Sequence, residues 1–159
     1  MKLTENLAKK LAKKYLLNEK TKDGKFLFSH TERVVFCVGL LTKKFKLDEK
    51  KLVVSAWVHD IGYFLGAENH AEKSLEILEN EKIEIDEEIK DAILNHGTNA
   101  NPKTIYGEIM QIADKISIID RDVLKILLEQ EKISDEDIKF FERVFSSCSE
   151  MLKKLKDIF

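Results

Sequence analysis

Three observations predict an all-α fold. The 159 residues contain one proline and six glycines, too few chain-breakers for a turn-rich sheet protein. Leu, Ile, Lys and Glu are abundant, a composition that favours helix. Apolar residues recur every three or four positions along most of the chain, the period of an amphipathic helix. The length suits one domain with a real core, spanning residues 1–159 and built as a compact bundle of about seven to eight helices. Charged residues make up 35% and apolar ones 43%, with a net charge of −2. Acid and base are interleaved, which argues against a basic nucleic-acid-binding face. No apolar run approaches the ~20 residues of a membrane-spanning helix. The first residues lack a secretory core. Cys37 and Cys148 stand alone in helix-like patterns, as thiols in a reducing cytoplasm do, and a cytoplasmic setting is expected. No internal repeat or low-complexity segment is present.

Taken in order, residues 4–17 read as a first helix capped by Thr4, with Leu3, Leu7, Leu11 and Tyr15 four apart. Its other face carries Lys9, Lys10, Lys13 and Lys14. Residues 18–28 read as a loop with an Asp23-Gly24 turn. Ser29-His30-Thr31-Glu32 has the form of a capping box, so a second helix is expected to begin there. His30 is then its first helical residue, and Arg33 shares its side. Asp48 is expected to cap a third helix running to about Tyr63 through the apolar stretch Leu52-Val53-Val54-Ser55-Ala56-Trp57-Val58. His59, Asp60 and Gly62 fall at its end, with Gly62 as the helix exit. Asn69 is expected to cap a fourth helix that opens with His70. Asp86 caps a fifth, whose buried stripe Ile89, Ala92 and Ile93 extends to His96. Thr104 opens a sixth helix reaching about Ile119, with Asp114 in an apolar surround and Lys115 expected to point away from it. A seventh should follow Asp120-Arg121-Asp122 as far as about Glu131. Ser134 caps the last, an amphipathic helix over 134–159 whose apolar positions Ile138, Phe141, Phe145, Cys148, Leu152 and Leu155 recur at heptad-like spacing. That stripe packs on its own domain or forms a homodimer seam.

All four histidines, His30, His59, His70 and His96, lie at helix ends or on apolar faces, and Asp60 and Asp114 share such settings. Buried imidazoles and carboxylates need partners. They are either satisfied core groups or ligands of a common object. Imidazole with carboxylate suits a divalent transition ion, Mn, Fe, Co, Ni or Zn, rather than Mg or Ca. Six donors exceed one structural site and suit two ions bridged by a carboxylate. Two such ions clamp a phosphoryl group and generate hydroxide near neutral pH. The non-local spacing requires helix ends to converge, as they do in a bundle.

The order His30, His59-Asp60, Asp114 resembles the HD superfamily of metal-dependent phosphohydrolases. Arg33-Val34 after His30 resembles that family's His-x-x-Arg-Val start, His59-Asp60-Ile61-Gly62 its HD-Ile-Gly variant, and Ala113-Asp114-Lys115 its closing Ala-Asp-Lys. The likeness covers about residues 29–120. It implies an HD-type helical bundle that cleaves a phosphoester or phosphoanhydride of a nucleotide-like substrate with metal-activated hydroxide. His30, His59, Asp60 and Asp114 would hold one ion. His70 and His96 would join Asp60 around a second, or else contact substrate or water. Arg33, Lys115 and more weakly Arg121 are phosphate contacts or surface ion pairs. Tyr63 stands where the HD-x-x-Glu pattern has Glu and where many HD-Ile-Gly members have Lys, and Gly97-Thr98-Asn99-Ala100 lacks the Gly-Tyr-Pro motif of cyclic-di-nucleotide phosphodiesterases. The layout is most similar to small bacterial members that split dinucleoside polyphosphates. The implied partner is a small phosphorylated substrate, with no nucleic acid or membrane. The rival in another class is a non-catalytic metal- and nucleotide-binding signalling module.

Overall fold

A computed structural model describes residues 1–120 and 132–158. The expected seventh helix and Arg121 lie outside these described residues. The described chain is all-helical: α1 (Glu5–Leu16), α2 (Gly24–Phe45), α3 (Glu49–Val58), a short 3-10 turn (Ile61–Leu65), α4 (His70–Asn80), α5 (Glu87–Leu94), α6 (Ile105–Ile116) and a long α7 (Asp135–Ile158). Among the described residues no strand forms, and β pairing is limited to an isolated bridge between Lys2 and Glu84.

Four helix starts follow from their caps. The side chains of Thr4, Asp48, Asp86 and Thr104 each accept a backbone N–H of the first turn they precede, satisfying donors that a helix otherwise leaves open. Ser134 and Asp137 cap each other reciprocally at the start of α7. α3 is the axis of the bundle. Every residue from Leu52 to Val58 is buried, because the helix is apolar on all sides. It packs against α1, α2, α5 and α6.

Two boundaries depart from the sequence reading. α2 begins at Gly24 rather than at Ser29, so His30 sits two turns in. The added turns are held by tertiary packing: Leu27 is buried and Phe28 lies 6.1 Å from the Trp57 ring. Gly24 is required because a Cβ there would stand 1.9 Å from the Leu16 carbonyl oxygen. Ser29 is consequently no cap, and its hydroxyl accepts from Arg33 Nη1 at 2.8 Å. α3 stops at Val58, well short of Tyr63. Asn69 precedes α4 in the left-handed region, with φ 52°, and makes no side-chain cap. One stripe of α7 packs on its own domain through Cys148 and Met151, while Ile138, Phe145 and Leu152 are exposed.

Candidate metal centre

The break after Val58 creates the site. Asp60 leaves helical geometry at φ −107° and ψ 2°, which turns its carboxylate back beside the preceding ring instead of a third of a turn away. The chain then passes under α4 so closely that a Cβ on Gly62 would meet the His70 carbonyl oxygen at 1.9 Å and the Ser74 nitrogen at 2.6 Å. Close approach, not a helix exit, is thus the reason for glycine there. Ser74 Oγ fastens the crossing. It accepts from the Gly62 N–H at 2.9 Å and lies 2.7 Å from the His59 carbonyl and 2.9 Å from the His70 carbonyl.

Six expected ligands converge from five segments: His30 from α2, His59 and Asp60 after α3, His70 opening α4, His96 just beyond α5, and Asp114 from α6. The two oxygens of Asp60 divide the histidines between them. Oδ2 lies 3.2 Å from His59 Nε2 and 3.7 Å from His30 Nε2, while Oδ1 lies 3.4 Å from His70 Nε2 and 3.5 Å from His96 Nε2. Asp114 Oδ1 is 2.8 Å from His30 Nε2 and 3.5 Å from His59 Nε2. Two donor groups result, His30–His59–Asp60 and Asp60–His70–His96, each with its ligand atoms within 4.8 Å of one another. They share Asp60.

The outer face of three of the rings fixes their tautomer. Nδ1 of His59, His96 and His70 donates to the carbonyls of Ala56 (2.7 Å), Ile93 (2.6 Å) and Ala67 (3.2 Å). A carbonyl only accepts, so each Nδ1 carries its proton, and in the neutral ring Nε2 presents a lone pair inward. His30 differs: its Nε2 hydrogen-bonds the Asp114 carboxylate at 2.8 Å, while its Nδ1 lies 3.3 Å from the Ser117 hydroxyl, which donates to the Asp114 carbonyl at 2.7 Å. His70 Nε2 and His96 Nε2 then face each other at 3.0 Å, and among the described residues the buried His59 Nε2 makes no hydrogen bond. Facing lone pairs beside carboxylates ask for a cation. The donor set fits a divalent transition ion.

The electrostatics agree. Burial opposes ionisation of Asp60 and Asp114. The His59 imidazole beside Asp60 and the Lys115 ammonium beside Asp114 outweigh it and hold both carboxyls well below the usual range. Burial alone would lower His59, but the Asp60 and Asp114 carboxylates lift it to about 10. Burial pushes His70 down. With two carboxylates at the centre, a proton on His59 stands in for the positive charge an ion would bring.

The HD domain family matches residues 27–119. The chain belongs to the HD domain family. HD domains bind divalent metals, and this one carries two residue groups that could hold them. It is 31% identical over 114 residues to a deoxyguanosinetriphosphate triphosphohydrolase-like protein of Caldanaerobacter subterraneus subsp. tengcongensis, an alignment covering 60% of this chain and 34% of that protein. It is 32% identical over 97 residues to ribonuclease Y of Ureaplasma parvum, covering 59% of this chain and 20% of the relative. The chain thus spans 34% of the first of these curated relatives and 20% of the second. The crystal structure of a predicted HD superfamily hydrolase from an uncultured Thermotogales bacterium shares its fold, with a TM-score of 0.60 at 23% identity over 96% of this chain and 91% of that one.

In this HD domain His30, Asp60, His70, His96 and Asp114 floor a cavity of about 440 Å³. Tyr63 lines it and stacks on the His70 ring, 4.4 Å between centroids. Burial and the nearby carboxylates push its phenol up to about 12, so it stays protonated. Lys115 also lines the cavity. Contrary to the expectation that it points away, its ammonium turns back to donate to Asp114. Arg33 departs from the sequence reading: it lines a separate cavity of about 260 Å³ with Ser29, Cys37 and Asp120. Three residues along a helix leave Arg33 rotated by ~60° from His30, enough to carry it round α2. Three contributors went unread in the sequence. Ser74 and Ser117 act through backbone carbonyls that only the fold brings near, and Arg143 reaches the cavity from α7, far along the chain.

Proposed function

We propose that the chain is a metal-dependent phosphohydrolase that cleaves a phosphoester or phosphoanhydride bond of a small nucleotide-like substrate. One observation carries the reading: each oxygen of the Asp60 carboxylate faces its own pair of imidazoles at the floor of the cavity. His30, His59, Asp60 and Asp114 would hold one divalent ion, and His70, His96 and Asp60 a second. A divalent ion there supplies Lewis acidity, polarising a phosphoryl oxygen and making water nucleophilic near neutral pH. The chain's own groups prepare that chemistry. Backbone carbonyls and Ser117 hold the four Nε2 atoms inward before any ligand arrives. Lys115 keeps a positive charge beside Asp114, where a phosphoryl group gathers negative charge during transfer. Phe26, Leu27 and Ile118 line the cavity with apolar surface.

A cavity of about 440 Å³ suits a small ligand rather than a polymer track, and the net charge of −2 gives RNA no general attraction. These support a small substrate over an RNA, although a ribonuclease is among the relatives. Assembly as a homodimer through α7 belongs to the same proposal. Ile138, Phe145 and Leu152 are spaced by seven and stay exposed, at 50%, 56% and 45%. A cytoplasmic setting completes it: among the described residues no helix is long and apolar enough to cross a membrane.

The test begins with protein purified without chelator, its metal content measured per chain. It is then assayed against nucleoside mono-, di- and triphosphates, bis-p-nitrophenyl phosphate and a short oligoribonucleotide. Release of phosphate or nucleotide from the small substrates, lost in Asp60→Ala, is the expected outcome. A metal-loaded protein that hydrolyses none of them sinks the reading. Cleavage of the oligoribonucleotide alone overturns its substrate class.

A further inference from the structure

The cavity above the ligands is closed on one side by α7, which contributes Phe140, Arg143, Val144 and Ser147 to its lining. Steps of three, one and three residues trace one face of a helix. The register of that face is pinned. Val144 and Cys148 pack with Phe141 against Ile116 and Ile118. Thr98 Oγ1 donates to Ser147 Oγ at 3.3 Å, and Lys154 Nζ donates to Gln111 Oε1 at 2.9 Å. The buried Gln111 amide in turn donates to the carbonyls of Gly97 (2.7 Å) and Ala100 (3.2 Å). The loop after His96, α6 and α7 are therefore one latched wall, and Arg143 stands on it.

The charges around the cavity are unequally used. Its acids, Asp60 and Asp114, belong to the ligand floor, and Lys115 is committed to Asp114. Arg143 is exposed and makes no ion pair or hydrogen bond among the described residues. Phe26 and Phe140 line the same cavity, offering flat apolar surface to a ring. A guanidinium with open donors suits the paired oxygens of a phosphate.

We propose that Arg143 is a specificity-determining residue that receives a second phosphate of the substrate, beyond the one attacked at the ligand floor. The preferred substrates are thereby phosphoanhydrides carrying at least two phosphates, such as nucleoside di- and triphosphates, over isolated phosphomonoesters. This rests on the phosphohydrolase reading. It adds a residue from outside the region that carries the family likeness.

The test compares wild type, Arg143→Ala and Arg143→Lys as metal-loaded full chains. Adenosine triphosphate is the polyphosphate, and p-nitrophenyl phosphate is the substrate with one phosphate. Arg143→Ala should raise KM for adenosine triphosphate about tenfold or more with kcat within about twofold. Its constants for p-nitrophenyl phosphate, its metal content and its helical circular dichroism should not move. Arg143→Lys should recover part of the KM. Equal losses on both substrates, or no loss on adenosine triphosphate, overturn the assignment, as does a wild type that prefers p-nitrophenyl phosphate. Arg143→Lys carries the same test if the alanine variant fails to fold. A wild type that holds its ions and hydrolyses neither substrate removes the phosphohydrolase reading and this assignment with it, and the wild-type rates alone identify that case.

Discussion

Asp60 is 5% exposed, with four imidazole nitrogens 3.2–3.7 Å from its oxygens. A carboxylate so enclosed cannot be solvated, and no single imidazole uses both its oxygens. It is the one ligand common to both donor groups. Replacing it with alanine should therefore cost both ions, with metal per chain falling to near zero while far-UV circular dichroism is kept. Turnover should fall by ~10³ or more, since Asp60 belongs to both donor groups and would support the charge stabilisation at each. His70→Ala should behave differently. It strips one group and leaves His30, His59, Asp60 and Asp114 intact, so the stoichiometry should drop by one ion. Equal loss in the two variants would refute the division of ligands that Asp60 makes. The inward placement of these six side chains was legible in the sequence because polar residues ending apolar stripes must point inward. Their orientation was not. Whether Lys115 turns toward or away from Asp114, and that Ser117 holds the His30 ring, depends on rotamers and on a carbonyl that no spacing encodes.

At the scale of elements, the site hangs on how segments cross. Ser74 joins α4 to the turn after His59 by meeting the Gly62 N–H and two carbonyls. Ser74→Ala leaves a buried N–H unpaired and should cost about 1–3 kcal/mol, read as a lower denaturant midpoint with an unchanged slope. Asp91 plays the matching part between α5 and α6. It is 7% exposed and accepts from Asn95, the Lys103 and Thr104 N–H groups and the Thr104 hydroxyl. Burial would raise its carboxyl, but the Thr104 and Asn95 hydrogen bonds outweigh it and lower it from 3.8. A carboxyl depressed in the folded state stabilises fully above its unfolded value, and that contribution is lost as pH falls through the folded one. Asp91→Asn should thus lower stability at neutral pH and flatten the stability profile below about 3.8, the ordinary value. A variant that keeps the full acid limb would show that other carboxyls set it. Cap residues at Thr4, Asp48, Asp86, Thr104 and Ser134 made most element starts readable. The start of α2 was not: Asp23 does turn, at φ 57°, but Leu27 and Phe28 just beyond it are helical through contacts with distant partners. The end of α3 was hidden for a related reason. Its apolar run continues past Val58 into Ile61, and only the packing of Gly62 under α4 stops the helix.

For the whole molecule, metal and fold are coupled. Five segments deliver ligands to one centre, so an ion bound there ties α2, α4, α6, the end of α3 and the exit of α5 together in a single stroke. The unfolded chain, with its histidines scattered from residue 30 to residue 96, offers no comparable site. Binding to the folded state alone raises stability by RT ln(1 + [L]/Kd), about 2.7 kcal/mol at a hundredfold excess over Kd. Added Mn, Fe, Co, Ni or Zn should accordingly raise the Tm of metal-free protein by several degrees, and a chelator should reverse it. The same coupling fixes a proton count. Carboxylates lift the His59 ring to about 10 in the absence of an ion, whereas ligation demands its lone pair. Metal uptake near neutral pH should release protons, and apparent affinity should rise with pH. Calorimetric titrations in buffers of different ionisation enthalpy measure that release directly. A Tm rise that survives in Asp60→Ala would place the ion elsewhere. A Tm rise without proton release would mean that His59 is already neutral and that its lone pair stands ready for the ion in the resting bundle.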